Sequence, residues 1–293
     1  MTPTVAAPVP EVLDRGREGP RPPGDAPPTV RPARRRLLAL RQEVPGRLRL
    51  PLTVASLVIP FAAWAILAAS GTVNPRFLPS PADVARAGWQ LAASGQLLSD
   101  VTATFTRVAI GFSIVVLISV PLGLLMGTIP AIRNLVEPMI GLVRYMPAPA
   151  FIPLLTIWLG LGEAPKIALL VIGTVFFNTL MSADVARQVP IELINASYTL
   201  GANRRVVLRK VILPHSVPGF LDAMRVNAAA TWNLVVVAEL FAAQEGLGYR
   251  ITRAARFLQT DQIFAVLIVI GVVGVAMDVG FRLLRNAVAP WSR

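Results

Sequence analysis

The sequence predicts an all-α integral membrane protein, and three observations carry that prediction. Hydrophobic residues make up 54% of the 293 and charged residues only 15%. Mean hydropathy is +0.62. Apolar runs of membrane-crossing length alternate with Arg- and Pro-containing connections. A net charge of +12 would suggest nucleic acid in a soluble chain, but the basic residues gather near the N-terminus and beside the apolar runs, which is a topology pattern. No nucleic-acid partner is expected. With no cysteine, disulfides, thiolate nucleophiles and cysteine metal sites are excluded.

Residues 1–48 are rich in Pro, Arg, Gly and Ala, with almost no large apolar side chain before Leu37. Such a segment cannot offset its ordering entropy by burial, so a disordered tail is expected, with residues 49–293 forming the membrane domain. Ten arginines lie between Arg15 and Arg49; they place the tail on the cytoplasmic side and could also meet anionic lipid headgroups. A secretory signal is not expected, because the charged lead-in is too long and the next apolar run spans a full bilayer.

That run, residues 51–70, has about the ~20 residues a membrane helix needs. Ser80-Pro81-Ala82-Asp83 then reads as an N-cap, a first-turn proline and a first-turn acid, starting a short surface helix that ends near Ala93. Further spans are expected at 101–128, 135–159, 166–186, 217–243 and 263–287, which makes six. The third is interrupted, because Pro147, Pro149 and Pro153 remove donors from the helical ladder. Irregular backbone at membrane depth is tolerated beside protein or a wet cavity, so a pathway is expected nearby.

Between the fourth and fifth runs, residues 190–214 form a polar, helix-patterned segment. Pro190 fits a first helical position and Glu192 favours the first-turn dipole. Gly201 suits a left-handed helix end, Asn203 can cap a second helix, and Pro214 is expected to stop it. Arg204, Arg205, Arg209 and Lys210 accompany an apolar set from Val206 to Ile212, suited to a membrane or partner. With the tail inside, this segment and the C-terminal Arg282, Arg285 and Arg293 also fall inside, together with Arg133 and Arg187. Arg76, Arg86, Lys166, Arg250, Arg253 and Arg256 fall outside. The last three, spaced three apart, are expected to share one helix face, either solvated or facing an acidic partner or a solute anion.

Asn195-Ala196-Ser197, then Gly201, then Val211-Ile212-Leu213-Pro214, resemble the cytoplasmic "EAA" loop of ABC importer permeases, with its spacing kept. Asn195 stands where that family has Glu, and Ser197 where it has the second Ala. The resemblance implies a coupling helix seated in a cleft of an ATP-hydrolysing subunit, carried by Asn195, Ala196, Ser197, Gly201, Ala202, Leu213 and Pro214. Thr106-Arg107-Val108-Ala109-Ile110-Gly111-Phe112, Pro121-Leu122-Gly123, Trp158-Leu159-Gly160, Ala238-Glu239 and Gly246-Leu247-Gly248-Tyr249 resemble the nitrate, sulfonate, taurine and bicarbonate group. The fold implied is that of the type I permeases, six transmembrane helices with a cytoplasmic coupling helix.

Candidate pathway residues are Arg144, Pro147, Asn178, Arg225, Asn227, Trp232, Asn233 and Glu239. Arg225 lies eleven residues past Pro214, roughly 16 Å along a helix. It either faces a cavity and attracts an anion or makes a structural pair, for example with Asp222. Arg144 beside the break has the same two readings, and Arg107 is expected to snorkel. Asn178, Asn227, Thr231 and Asn233 are interhelical hydrogen-bonding groups or cavity liners. Trp232 is a packing residue by default, and Glu239 a gate or interface contact. Asp278 and Arg282, one turn apart, are expected to pair. His215, the single histidine, has no companion ligand, so no metal site is expected.

No phosphate-binding Gly-x-x-x-x-Gly-Lys-Ser/Thr loop occurs, so ATP and Mg belong to a partner and no catalytic residue is expected here. The resemblance implies an importer permease of a bacterial inner membrane taking up a small anion by alternating access. Its implied partners are ABC ATPase subunits, a second permease copy (a homodimer) and an extracytoplasmic solute-binding protein. The alternative is an ion-gradient-driven transporter or channel acting alone, for which neither paired intramembrane acids nor an inverted repeat is visible.

Overall fold

The computed structural model describes residues 46–292, and among these every regular element is helical. The chain divides into two compact units between Val58 and Ile59. Of the first, residues 46–58 are described, as the beginning of α1 (Gly46–Ala69), a helix with no buried residue. Residues 46–48 are therefore helical, whereas the rest of the expected tail, and Arg293, lie outside the described residues.

In the second unit, the Trp64 indole N–H donates to Pro79 O at 3.1 Å and its ring stacks on Phe264, centroids 5.7 Å apart. Helix α2 (Pro81–Ala93) has the expected start, with Ser80 Oγ accepting from Asp83 N. The Ser80 hydroxyl donates back to Asp83 Oδ2 at 2.7 Å, which holds that carboxyl below its usual range, and Arg86 adds to the effect.

The centre is the pair α3 (Gln96–Thr128) and α6 (Glu163–Arg187). These helices approach through small residues, as apolar helices do where no water drives them together. A Cβ at Gly123 would stand 2.5 Å from Ser182 Cβ and 2.7 Å from Thr179 O, and one at Gly127 would stand 2.6 Å from Ala183 O. Because the obstacle includes backbone, Gly123→Ala should force the helices apart and lower stability by about 1–3 kcal/mol. Thermal unfolding of the solubilised protein tests this, and an unchanged midpoint would show that the contact is not tight.

The expected break lies between α4 (Pro130–Val143) and a 3₁₀ turn, Ala148–Phe151, that runs into α5 (Ile152–Leu159), with a bend of 83°. Pro147 takes an extended ψ of 116°, and prolines at 149 and 153 supply no donor. Ala148, Phe151 and Ile152 pack on Leu155, Leu169 and Ala238, which covers that side of the break, while residues 144–147, Pro149 and Ala150 are exposed.

After α6 come α7 (Ile191–Thr199) and α8 (Arg204–Val207), then a π turn (Leu208–Ile212) that leads without interruption into α9 (Leu213–Ala242). Pro190 is the cap rather than the first helical residue, and Pro214 does not stop the helix. Pro214 is accommodated by the π turn. The Leu213 N–H bonds Leu208 O five residues back, and this wider turn accommodates a ring that would clash with a regular i−4 carbonyl.

The fold closes with α10 (Leu247–Arg256) and α11 (Thr260–Val288), both packed on α9. The arginines of α10 do not share one face. Arg250 is buried, while Arg253 and Arg256 are exposed. At ~100° per residue, six positions leave Arg256 about 120° from Arg250.

By length and apolarity, α1, α3, α6 and α11 can each cross a membrane, and α4 with the bent segment after it counts as a fifth span. Helix α9 has 30 residues, but Asp222, Arg225, Asn227, Asn233 and Glu239 interrupt its apolar sequence. Among the described residues up to five spans meet these criteria, and α9 is the expected span that does not.

Candidate functional site

The segment 190–214 is built as two helical pieces around a glycine. Leu200 N bonds Ala196 O at 3.1 Å, Gly201 N bonds Tyr198 O at 2.9 Å, and Ala202 N bonds Ser197 O at 3.0 Å, which closes the end of α7. Gly201 takes φ +79°, the left-handed region, and a Cβ there would meet nothing within 4 Å. Its requirement for glycine is conformational, and the space outside it is open. Asn203 then caps α8, its Oδ1 accepting from Val206 N at 3.0 Å.

Buried Val189, Val207 and Ile212 seat this elbow on the bundle, with Leu124, Ile194, Ala202 and Leu208 around them. Other apolar side chains of the segment are uncovered: Leu200 is 88% exposed, and Ile191, Leu193, Tyr198 and Leu213 are also exposed. Asn195 and Ala196 are exposed as well, as is Pro214, while Ser197 is half-buried and bonds Leu193 O at 2.7 Å.

The candidate pathway residues separate by position. Arg144 and Pro147 are exposed at the helix break, and the Arg144 guanidinium lies 4.9 Å from the centroid of the Tyr145 ring. Asn233 is exposed on α9, on a stripe with Val226, Ala229, Ala230 and Leu240. Arg225 is half-buried and pairs with Asp278 at 2.7 Å, not with Asp222. Helix α11 runs alongside α9 and brings a carboxylate to Arg225. Asp222 is taken by Arg285 at 3.3 Å, and Asp278 also holds Arg282 at 2.6 Å.

Asn178, Asn227, Trp232 and Glu239 are interior. Asn178 donates to Ser119 Oγ, Asn227 to Ala223 O at 2.9 Å, and Trp232 to Ile270 O at 3.0 Å within the main core. Among the described residues no group of three acids or histidines is placed to hold a metal.

The family described as "binding-protein-dependent transport system inner membrane component" matches residues 119–293. The chain belongs to this family. A probable ABC transporter permease of Brucella melitensis is 37% identical over 238 residues, covering 81% of this chain and 94% of the relative. The taurine transport system permease TauC of Escherichia coli is 34% identical over 246 residues, covering 82% and 89%. A putative aliphatic sulfonates transport permease SsuC of Bacillus subtilis is 30% identical, covering 84% and 90%. Among solved structures, an inward-facing MetNI methionine ABC transporter chain superposes with TM-score 0.60 at 22% identity, covering 67% of this chain and 98% of that one. This last likeness concerns the fold.

In this inner-membrane permease, Gln96, Asp100 and Thr104, which sequence reading missed, join Arg107, Glu239 and Arg250 in a buried charged cluster. On α3, Gln96, Asp100, Thr104 and Arg107 recur at helical spacing and face the start of α10. Asp100 Oδ1 accepts from Gly246 N at 3.0 Å and Thr104 Oγ1 from Leu247 N at 2.9 Å, while Glu239 Oε2 accepts from Gly248 N at 2.8 Å. Oxygen acceptors thus satisfy the unpaired N–H groups opening α10. Arg250 returns from α10 to Asp100 Oδ2 at 2.6 Å and Gln96 Oε1 at 2.6 Å.

Arg107, expected to snorkel, is 3% exposed. It bonds Glu239 Oε1 at 2.7 Å, Glu245 O at 2.9 Å and Glu163, and Glu163 also takes Lys166 Nζ at 2.8 Å. Its side chain cannot reach out of the bundle because three elements converge on it with carboxylates. Gly246, at φ +118°, leaves room for that pair, since a Cβ there would stand 2.5 Å from Glu239 Cδ. The sequence signal was present in the recurrence of Gln96, Asp100, Thr104 and Arg107 at three- and four-residue intervals along α3.

Proposed function

We propose that this permease forms the membrane pathway of an ATP-driven importer for a small sulfonate, taurine or a short alkanesulfonate, with nitrate and bicarbonate as the other candidate anions. The observation that carries the mechanism is the elbow at 190–214. A short helix bears an exposed apolar face beside a glycine with open space outside it, and it is fused through the π turn to the 30-residue α9. Such a device transmits a partner's movement into the bundle. The sulfonate reading is supported by the names of the relatives in Escherichia coli and Bacillus subtilis.

In this reading both termini and the elbow face the cytoplasm, two ATPase subunits carrying ATP and Mg grip the elbows of two identical permeases, and a solute-binding protein delivers solute outside. ATP binding closes the ATPases and shifts the cavity from inward-facing to outward-facing. The exposed stripe of α9 with Asn233 and the exposed Arg144 at the break line the pathway. Of the two arginines considered for anion attraction, Arg225 is engaged by Asp278, which it shares with Arg282, so Arg144 carries the larger share.

The test is ATP hydrolysis by the permease reconstituted with its ATPase and binding protein, across taurine, ethanesulfonate, nitrate and bicarbonate. Stimulation by a sulfonate is expected. Stimulation by nitrate or bicarbonate alone would replace the substrate, and solute flux without ATP dependence would remove the importer mechanism.

A further inference from the structure

A cavity of about 380 Å³ lies behind the elbow, where the ends of α3 and α6 meet α7 and α8. Its walls are two helical faces. Ile191, Ile194 and Tyr198 recur on α7, and Arg204, Val207 and Leu208 recur across α8 and the π turn. Arg187, at the end of α6, and Thr128, at the end of α3, complete the polar part, and Ile212 belongs to the apolar floor. The size is that of a small-molecule site, and the lining combines an apolar body with few convergent polar groups.

The charge balance specifies the ligand class. Arg187 is paired with Asp184 at 3.6 Å, both side chains being largely exposed, and lies close enough to Glu137 to act on its charge. Arg204 has no acidic side chain within ion-pair distance among the described residues. Arg204 thus leaves the cavity with a positive charge that no carboxylate offsets, beside apolar walls, with the Tyr198 hydroxyl able to donate to an oxyanion.

We propose that this cavity binds an amphipathic anion, with a sulfonate, phosphate or carboxylate head between Arg187 and Arg204 and an apolar chain against Ile194 and Ile212. A ligand held by both arginines ties the end of α6 to α8 across the elbow, fixing α7 against the bundle. The site is thus a means of regulating the elbow from the side on which Val207 and Ile212 seat it, with Ile191 and Tyr198 shared between the cavity wall and the exposed surface. The same head chemistry belongs to soluble amphiphiles and to anionic lipid headgroups.

The experiment uses the full-length permease in nanodiscs, with 1-octanesulfonate as probe and 1-octanol as its neutral counterpart. In phosphatidylcholine discs, octanesulfonate at a hundredfold excess over its Kd should raise Tm by roughly 5–10 °C. Octanol should not. The Arg187→Gln/Arg204→Gln variant changes only surface side chains and should keep a basal Tm within a few degrees of wild type. It should need at least about tenfold more octanesulfonate, through loss of charge-assisted bonds.

In discs containing phosphatidylglycerol, a lipid occupant predicts a raised wild-type Tm that octanesulfonate no longer increases, and a variant that shows neither effect. A soluble occupant predicts the octanesulfonate shift unchanged. An equal response of wild type and variant in both kinds of disc, or an octanol shift as large as that of octanesulfonate, would overturn the site. Because the readout is binding to the permease alone, failure of the transport reading would leave this result standing.

Discussion

Arg107→Met is expected to lower the thermal midpoint of the solubilised permease by about 10 °C. Arg107 is 3% exposed, and the Glu239 side chain it pairs with is fully buried. Removing the guanidinium leaves that carboxylate with Thr104 Oγ1 at 2.8 Å and Gly248 N at 2.8 Å as its donors, and no cation against it. Breaking one side of a buried pair costs about 3–5 kcal/mol, because the surviving charge has lost its water and its partner. For a domain of this size each kcal/mol moves Tm by about 2–4 °C. The double change Arg107→Met/Glu239→Leu removes the orphaned charge and should recover part of the loss. Arg86→Met, at an exposed pair with Asp83, should shift Tm by less than about 2 °C. Equal midpoints for Arg107→Met and wild type would show that the cluster contributes nothing to holding α3, α9 and α10 together.

Gly201→Asp should leave the permease folded and remove solute-stimulated ATP hydrolysis by more than tenfold in the reconstituted assembly. The two halves of that expectation rest on different observations. Folding survives because Asp is among the residues that tolerate the left-handed region, and a Cβ at Gly201 meets nothing within 4 Å of this chain. Coupling fails because a charged side chain now occupies the open space beside the exposed Leu200 and Tyr198, where an apolar face has to be approached closely. Gly201→Ala, which adds one methyl and no charge, should fall between wild type and Gly201→Asp. The assay separates partner contact from strain, since strain alone would lower Tm in both variants alike. Full stimulation of a well-assembled Gly201→Asp complex would end the role assigned to the elbow.

Much of the candidate site was legible because its signals are local. Ser80 before Pro81, Asn203 two residues after Gly201, and three prolines between 147 and 153 each act on backbone within a turn of themselves, and each appears where the sequence placed it. Pro214 shows the limit of such reasoning. A proline normally ends a helix, but here five residues of π turn absorb it, and the elbow becomes continuous with α9. Of the two readings of Arg225 the structural pair is found, but with Asp278 on another helix rather than with Asp222, the example nearest in sequence.

What the sequence by itself determined is the membrane class, the order of the helices, the break in the third apolar run and the two-piece elbow. Each follows from composition or from residues a few positions apart. What only the tertiary structure decided is which polar groups in the apolar helices meet. Arg107 and Glu239 are 132 residues apart and Asp100 and Arg250 are 150 apart. Their pairing depends on α3, α9 and α10 being stacked at one level of the bundle. A charge in an apolar run requires a partner, but its choice among carboxylates on other helices is fixed by packing, because the energy depends on a few ångströms of separation that no local pattern encodes.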